Sequence, residues 1–418
     1  MLVDLNLEDA QNILLNSVST LSVEYVPSLH AYGRILAVDT FTGQELPPEP
    51  QSAVDGFAIH ADDTDGDKVL NIREWPGLKS SSSPLAGGQV VAVVTGGVLP
   101  AGTAAVLPRE KAVIKGDRLS FTGRLAPGSQ IRLAGEDFRT GELIGRKGTR
   151  LTPGLVGLMA AMGILDAGVF QQPRVAILSL DNRIAPYGVM SAEGQIRDSN
   201  GPMLSSLVSR DGCVPSAVEV VAESGQLVKD QIASLLKSAD LVITIGGTFA
   251  GEKSEVLSVL EDLAAEVLFS GVRIQPGGHP VAAVVDSKLI ISLSGNPAAC
   301  AVGYETLVAP VLRAMQGAIP FPCEVWGYCT NSYPRKDGGR RFVRGYTFFD
   351  HDSWKVTVLP GQKPGMLRSV INCNALIDLP AGSPALEKGT RVKLWLLDSE
   401  SCLLRVDNCG DQTLQVKL

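Results

Sequence analysis

The sequence predicts a multidomain protein that joins one α/β part to several β parts. Three observations carry this. Residues 173–317 alternate short apolar runs with stretches of helical periodicity, the pattern of a doubly wound sheet. Residues 57–124 and 320–418 are strand-like and rich in turns, without helical periodicity. Pro47, Pro48 and Pro50 forbid regular structure just ahead of the first β part. A chain of 418 residues has room for roughly two to four domains.

Composition narrows the function. A net charge of −7 speaks against a general nucleic-acid binder while leaving room for local phosphate sites. Aromatic residues make up 5%, so there is little stacking surface for single strands. No apolar run reaches the ~18 residues that span a bilayer. The opening MLVDLNLEDA lacks a basic region, so no signal peptide is expected and no membrane partner. Seven cysteines occur without a CxxC pair. They read as free thiols in a reducing, cytoplasmic setting.

In chain order, Asn6 is placed to cap a helix over 7–18, with Leu7, Ala10, Ile13, Leu14 and Val18 on one face. In Ser52-Ala53-Val54-Asp55-Gly56, Asp55 fits either turn chemistry or a metal or polar ligand. VVAVVTGGVLPAGTAAVLPRE predicts two strands around a Gly/Pro turn. Its Thr95-Gly96-Gly97 fits an anion-binding turn or a plain hairpin. In Gly135-Glu136-Asp137, two adjacent acids fit a Mg²⁺ site or a solvated turn, with Arg132 nearby to meet a phosphate or a carboxylate. Thr152 and Pro153 sit as N-cap and first residue of the next helix.

In the α/β part, strands are expected at 174–180, 217–221, 241–245 and 289–293. Helices are expected at about 201–211, 225–238, 254–265 and 297–316. The central stretch is LVITIGGTFAGE. Five apolar or β-branched residues, Leu241 to Ile245, end at Gly246 and Gly247, where bare N–H groups can meet a ligand. Glu252 follows, and a helix begins with Val256, Val259, Leu260 and Leu263 on one face. A second strand, LIISL, ends at Ser294-Gly295-Asn296-Pro297 and places another turn at the same crevice. P-loop and GxGxxG signatures are absent. Beyond 320, Arg335, Lys336, Arg340, Arg341 and Arg344 fit a phosphate-facing patch or a basic hairpin tip. The alternation from Lys388 to Leu418 fits a small C-terminal β-barrel.

The ordered series GRILAVD, SAVDGFAI, VVTGGVLPAGTAAVLPRE, IRLAGEDF, GQIRDSN, the GG…GE turn, PGGHP, SGNP and FVRG resembles the molybdopterin molybdenumtransferase family (MoeA and the gephyrin E domain). The resemblance runs from about Leu7 to Leu396. It implies an elongated, split subdomain at 1–42 and 125–170, an inserted β-domain at 43–124, a doubly wound, MogA-like molybdopterin-binding domain at 171–318, and a β-barrel at 319–418. It implies a homodimer, with molybdopterin adenylyltransferase as a possible protein partner. It also implies insertion of molybdenum, supplied as molybdate, into adenylated molybdopterin with Mg²⁺ and release of AMP.

Carried over by position, the resemblance implies catalytic roles for Asp55, Thr95 and Asp137, with Mg²⁺ on Asp55 and Asp137. It implies substrate binding by Arg132, Gly246, Gly247, Glu252, Gly277, Gly295, Asn296, Pro297 and Arg344. The departures fall on charges. Arg183 stands at a family Glu, and Ser254 at an acid. Gln275 and Gly278 stand at lysines, and Pro364 at the Ser of a QGS turn. They leave a second expectation open: a paralogue that binds a pterin, a nucleotide or a partner protein without turnover.

Overall fold

The computed structural model describes residues 1–73, 84–221, 225–248, 255–334 and 338–397. The chain forms two compact units, Met1–Glu24 with Phe170–Leu418, and Tyr25–Val169.

The larger unit is built on a seven-stranded sheet. Its order is Leu2–Leu5, Glu266–Val272, Val281–Val285, Lys288–Leu293, Leu241–Ile245, Arg174–Leu180, Val214–Val221. The last four strands in that order run parallel. Val281–Val285 is antiparallel to both its neighbours. Strands covered on both faces lose the polar half of their alternation. Hence every residue of Leu241–Ile245 is buried. Val175 and Ile177 enter the core on one face with Leu204, Val208, Tyr304 and Leu312. Ala176 and Leu178 enter the other with Val228, Ile232, Val256 and Val259.

The four strands expected from the sequence form the parallel run. The strands Leu2–Leu5, Glu266–Val272 and Val281–Val285 extend it. Helices occupy Asn200–Arg210, Gln226–Leu236 and Glu255–Asp262, and one of 19 residues spans Pro297–Met315 with a π-turn at Tyr304–Val308. That last helix is long and apolar enough to cross a bilayer, but 89% of it is buried within the fold. The first helix is Leu7–Asn16, and Asn6 Oδ1 accepts from Asp9 N at 2.7 Å. Leu7, Ala10 and Leu14 bury into the α/β core. Met1–Glu24 therefore falls within the larger unit.

Five further strands close into a barrel: Cys323–Cys329, Arg340–Asp350, Ser353–Val358, Ala375–Leu379 and Arg391–Leu396. Val343, Val356, Ile377 and Leu394 fill it. Ile274–Gln275, from the α/β part of the chain, adds to the barrel sheet parallel to Arg340–Arg341. Arg335 and Lys336 of the basic stretch, and everything after Leu397, lie outside the described residues.

The smaller unit carries a six-stranded sheet in the order Thr103–Pro108, Gly56–His60, Gln89–Val93, Leu70–Arg73, Arg118–Ser120, Val113–Lys115. Phe57, Ile59, Val90 and Leu107 fill one face, and Ala58, Val91 and Val106 the other. Its helix, Pro153–Ala161, starts where expected, with Thr152 Oγ1 accepting from Leu155 N at 3.2 Å.

Candidate functional site

Strands Leu241–Ile245 and Lys288–Leu293 run side by side in register, so their carboxyl ends emerge together. Gly246 (φ +92°) and Gly247 (φ +67°) turn the first one. A Cβ on Gly246 would lie 2.9 Å from Leu180 O, and one on Gly247 would lie 2.7 Å from Val256 Cγ2. Glycine is required at both by backbone angle and by space. Gly246 N donates to Leu293 O at 2.9 Å. This draws the second turn, Ser294–Asn296, alongside, with Gly295 close against Gly246. Gly277 (φ +90°) brings a third turn against the first turn of the 19-residue helix, where a Cβ would lie 2.9 Å from Ala299 O. The fold thus gathers Gly246, Gly247, Gly277, Gly295, Asn296 and Pro297 at one sheet edge. Glu252 lies outside the described residues.

Two residues missed as site candidates, Asp198 and Asn200, tie this edge together. Asp198, 8% exposed, accepts on Oδ1 from the backbone N–H groups of Asn200 and Gly201 at 3.0 Å each. Its Oδ2 accepts from Ser179 Oγ at 3.2 Å. Asn200 Nδ2 donates to Gly295 O at 2.8 Å, while Asn200 Oδ1 is buried without a hydrogen-bond partner. The signal was the GQIRDSN stretch, an acid placed to cap the following helix.

The barrel contributes a fourth turn. Ala298 N donates to Pro364 O at 2.9 Å. The neighbouring Gln362 amide accepts from Arg344 N at 3.1 Å and donates to Arg344 O at 2.8 Å. Arg344 is 2% exposed. Its Nε donates to Ser369 Oγ at 3.1 Å and its Nη1 to Phe342 O at 3.4 Å, while its Nη2 has no hydrogen-bond partner. No acid among the described residues pairs with it. Burial, together with the like charge of Arg341, holds its guanidinium below the ordinary arginine range.

In the smaller unit, Asp55 Oδ1 accepts from Thr95 N at 2.7 Å and from Thr95 Oγ1 at 2.9 Å. These bonds to the charged form hold the exposed Asp55 carboxyl below its usual range, the backbone bond foremost. The turn is anchored by Ser52, whose N donates to Gly97 O at 2.9 Å and whose O accepts from Gly96 N at 2.8 Å. Asp55 and Thr95 line an open hollow of about 540 Å³ with Ala53, Val54, Arg109 and Glu110. Arg109 and Glu110 went unnamed as site residues, although VLPRE is one of the matching motifs.

Arg132 pairs with Gln51 on the strand that leads to Asp55. Asp137 sits apart from the hollow's wall, in an exposed turn whose N donates to Leu46 O at 2.9 Å. Among the described residues, no three His, Cys, Asp or Glu gather closely enough to hold a metal ion. Asp55, ionised and exposed, fits a single-carboxylate contact to Mg²⁺, which commonly keeps waters and takes further ligands from substrate phosphates.

Comparison with known proteins follows the same division. A model of the MoeA N-terminal region (domain I and II) matches residues 5–163. A probable molybdopterin binding domain matches residues 176–314, and the MoeA C-terminal region (domain IV) matches residues 327–397. The chain belongs to the MoeA family.

The chain is 28% identical to a molybdopterin molybdenumtransferase of Staphylococcus aureus over 403 residues, covering 94% of this chain and 96% of that protein. It is 27% identical to one of Staphylococcus epidermidis over 378 residues, covering 88% and 90%. A crystal structure of a molybdopterin biosynthesis MoeA protein from Pyrococcus horikoshii superimposes with a TM-score of 0.76 at 26% identity, covering 94% of this chain and 100% of that one.

Against the MoeA pattern, the replaced charges have local partners. Arg183 grips Asp181 through Nε–Oδ1 at 2.9 Å and Nη2–Oδ2 at 2.7 Å. The contact lowers the Asp181 carboxyl and raises the Arg183 guanidinium from their ordinary ranges. Gly278 has no space for a lysine: a Cβ would lie 2.9 Å from Ile274 O and 3.2 Å from Val272 O. Gln275 Oε1 accepts from Arg341 Nη2 at 2.6 Å. Ser254 lies outside the described residues.

Proposed function

We propose that this chain is a molybdopterin molybdenumtransferase of molybdenum cofactor biosynthesis. It joins molybdenum, supplied as molybdate, to adenylated molybdopterin and releases AMP. The observation that carries this reading is the convergence of the glycine turns at 246–247, 277 and 295 on one strand-end edge. The close backbone approach that these glycines allow, beside the start of the helix Pro297–Met315, suits the phosphates of a pterin substrate. Asp198 and Asn200 hold the edge in shape, and the buried Arg344 offers positive charge in the barrel. In the hollow of the smaller unit, Thr95 donates twice to the Asp55 carboxylate and holds its carboxyl below its usual range. Asp55 would hold Mg²⁺, which when bound supplies positive charge for a phosphate. Arg132 is assigned to substrate anion binding and Asp137 to a supporting acid.

The finer division into domains at 43–124, 171–318 and 319–418, a homodimer, a cytoplasmic location and molybdopterin adenylyltransferase as partner belong to this proposal. Sedimentation equilibrium tests the dimer. The function is tested by incubating purified chain with adenylated molybdopterin, Mg²⁺ and molybdate or tungstate. AMP release that depends on the oxyanion supports it, and binding without release overturns it in favour of a non-catalytic paralogue. That second reading is supported by Arg183, which occupies Asp181 where the family pattern has an additional acid.

A further inference from the structure

Three arginines stand on the first six residues of the barrel strand Arg340–Asp350, and their surroundings differ. Arg340 is neutralised: Nε and Nη2 meet Asp378 at 2.8 and 2.7 Å, and Nη1 meets Glu8 at 2.5 Å. Arg341 has no acid partner among the described residues. Its Nη1 donates to Tyr333 Oη at 3.2 Å, its Nη2 to Gln275 Oε1 at 2.6 Å, and its buried Nε has no hydrogen-bond partner. Arg344 is buried with Nη2 free. Among the described residues, two cations on one strand thus lack counter-charge, and each is held in place by neutral groups.

The position of Arg341 adds to this. Strand Ile274–Gln275 pairs with Arg340–Arg341 in parallel register, Gln275 opposite Arg341. Gln275 leads directly into the Gly277 turn that abuts the first turn of the 19-residue helix. At residue 275 the resemblance implies a lysine. Here a neutral amide stands there and orients a guanidinium from the neighbouring strand.

We propose that Arg341 is a binding residue for a tetrahedral oxyanion at the Gly277 turn, supplying from the barrel the positive charge that the lysine at 275 supplies elsewhere in the family. The oxyanion is either a phosphate of the pterin substrate or molybdate itself. The proposal rests on the reading of that edge as the substrate site. A guanidinium held by neutral acceptors keeps its charge for a ligand and presents a fork suited to such anions. Gln275 fixes its direction.

The test is calorimetric titration of the full chain with sodium molybdate alone and with inorganic pyrophosphate alone. Wild type, Arg341→Gln, Gln275→Lys and the double variant Arg341→Gln/Gln275→Lys are compared, with Arg340→Gln as the paired-arginine control. Arg341→Gln should weaken binding about tenfold or more, the usual worth of a charged hydrogen bond. The lysine in the double variant should recover most of that loss, and Arg340→Gln should leave affinity near wild type. An effect confined to pyrophosphate assigns the phosphate, and one confined to molybdate assigns the metal oxyanion.

Unchanged affinity in Arg341→Gln overturns the proposal. So does wild type binding neither anion, or a loss that the lysine does not recover. AMP release distinguishes this inference from the transferase reading. Release untouched by Arg341→Gln, together with unchanged affinity, sinks only the inference. Absence of release in wild type, with binding still dependent on Arg341, sinks only the transferase reading.

Discussion

Arg210 and Arg344 belong to the same unit and face opposite electrostatic situations. Arg210 Nη1 meets Glu305 Oε1 at 2.7 Å and its Nη2 meets Asp211 Oδ2 at 3.0 Å. Tyr304 Oη donates to the same Asp211 at 2.9 Å, and Arg313 adds a contact at 3.4 Å. Burial works against the Arg210 charge, but Glu305 and Asp211 outweigh it and raise the guanidinium above its ordinary range. Arg344 is more deeply buried, has no acid among the described residues, and is lowered. A half-buried cation gripped by buried acids cross-links the fold. A buried cation without one is a cost to the fold, and it becomes useful when an anion arrives.

The strongest way to break this comparison is to delete both charges. Arg210→Met should cost about 3–5 kcal/mol, because Glu305 and Asp211 stay buried and lose their main partner. Arg344→Met should stay within about 1 kcal/mol of wild type or exceed it. Urea unfolding of the two variants measures both, and equal losses would erase the distinction.

Gly246→Ala comes next. Its φ of +92° and the Leu180 carbonyl at 2.9 Å from the new Cβ predict a loss of about 1–3 kcal/mol. The substitution should also weaken substrate binding, read by the same unfolding curves with and without adenylated molybdopterin.

A smaller effect is expected at Glu8. Burial is the largest single influence and raises its pKa, but the Arg340 hydrogen bond and charge, with a backbone hydrogen bond and Lys393, together outweigh it and leave the folded value below the ordinary glutamate range. The stabilisation is therefore fully present above the ordinary glutamate range and fades as pH falls through the folded value. With the Glu8 side chain 60% exposed, solvent screening limits it to less than about 1 kcal/mol. Unfolding of Glu8→Gln between pH 3 and 7 should show a gap from wild type that closes on acidification, over a range of about 1 kcal/mol or less.

The subtlest expectation concerns Asp55. Thr95→Val removes one of two donors to its carboxylate, so its pKa should rise toward the usual range. The acid limb of AMP release should then move to higher pH. An unmoved limb would separate Asp55 from the rate-determining ionisation.

Much of the fold was legible in the sequence wherever periodicity was strong. The parallel strands and the long helices of the α/β part stand within a few residues of their expected places, because fully buried strands read as unbroken apolar runs. Leu2–Leu5 and Val281–Val285 were not legible. Short strands at or near a sheet edge owe their state to neighbours distant in sequence. At the candidate site, the turns at Gly246, Gly247 and Asn296 were legible from strand-end glycine and proline chemistry. Asp198 and Asn200 did not, since an acid at a helix start reads as a cap whatever lies above it.

By itself the sequence determined the layer pattern, the turns that need glycine, and the order of motifs that places the chain in its family. These depend on local backbone preference and hydrophobic period. Only the tertiary structure decided which charges are free. Arg340, Arg341 and Arg344 are near-equivalent in the sequence. Asp378 and Glu8 reach the first, Gln275 and Tyr333 the second, and Ser369 the third, by packing across as many as 332 positions of chain. Electrostatic pairing acts through space, over a few ångströms, and no periodicity along the chain encodes it.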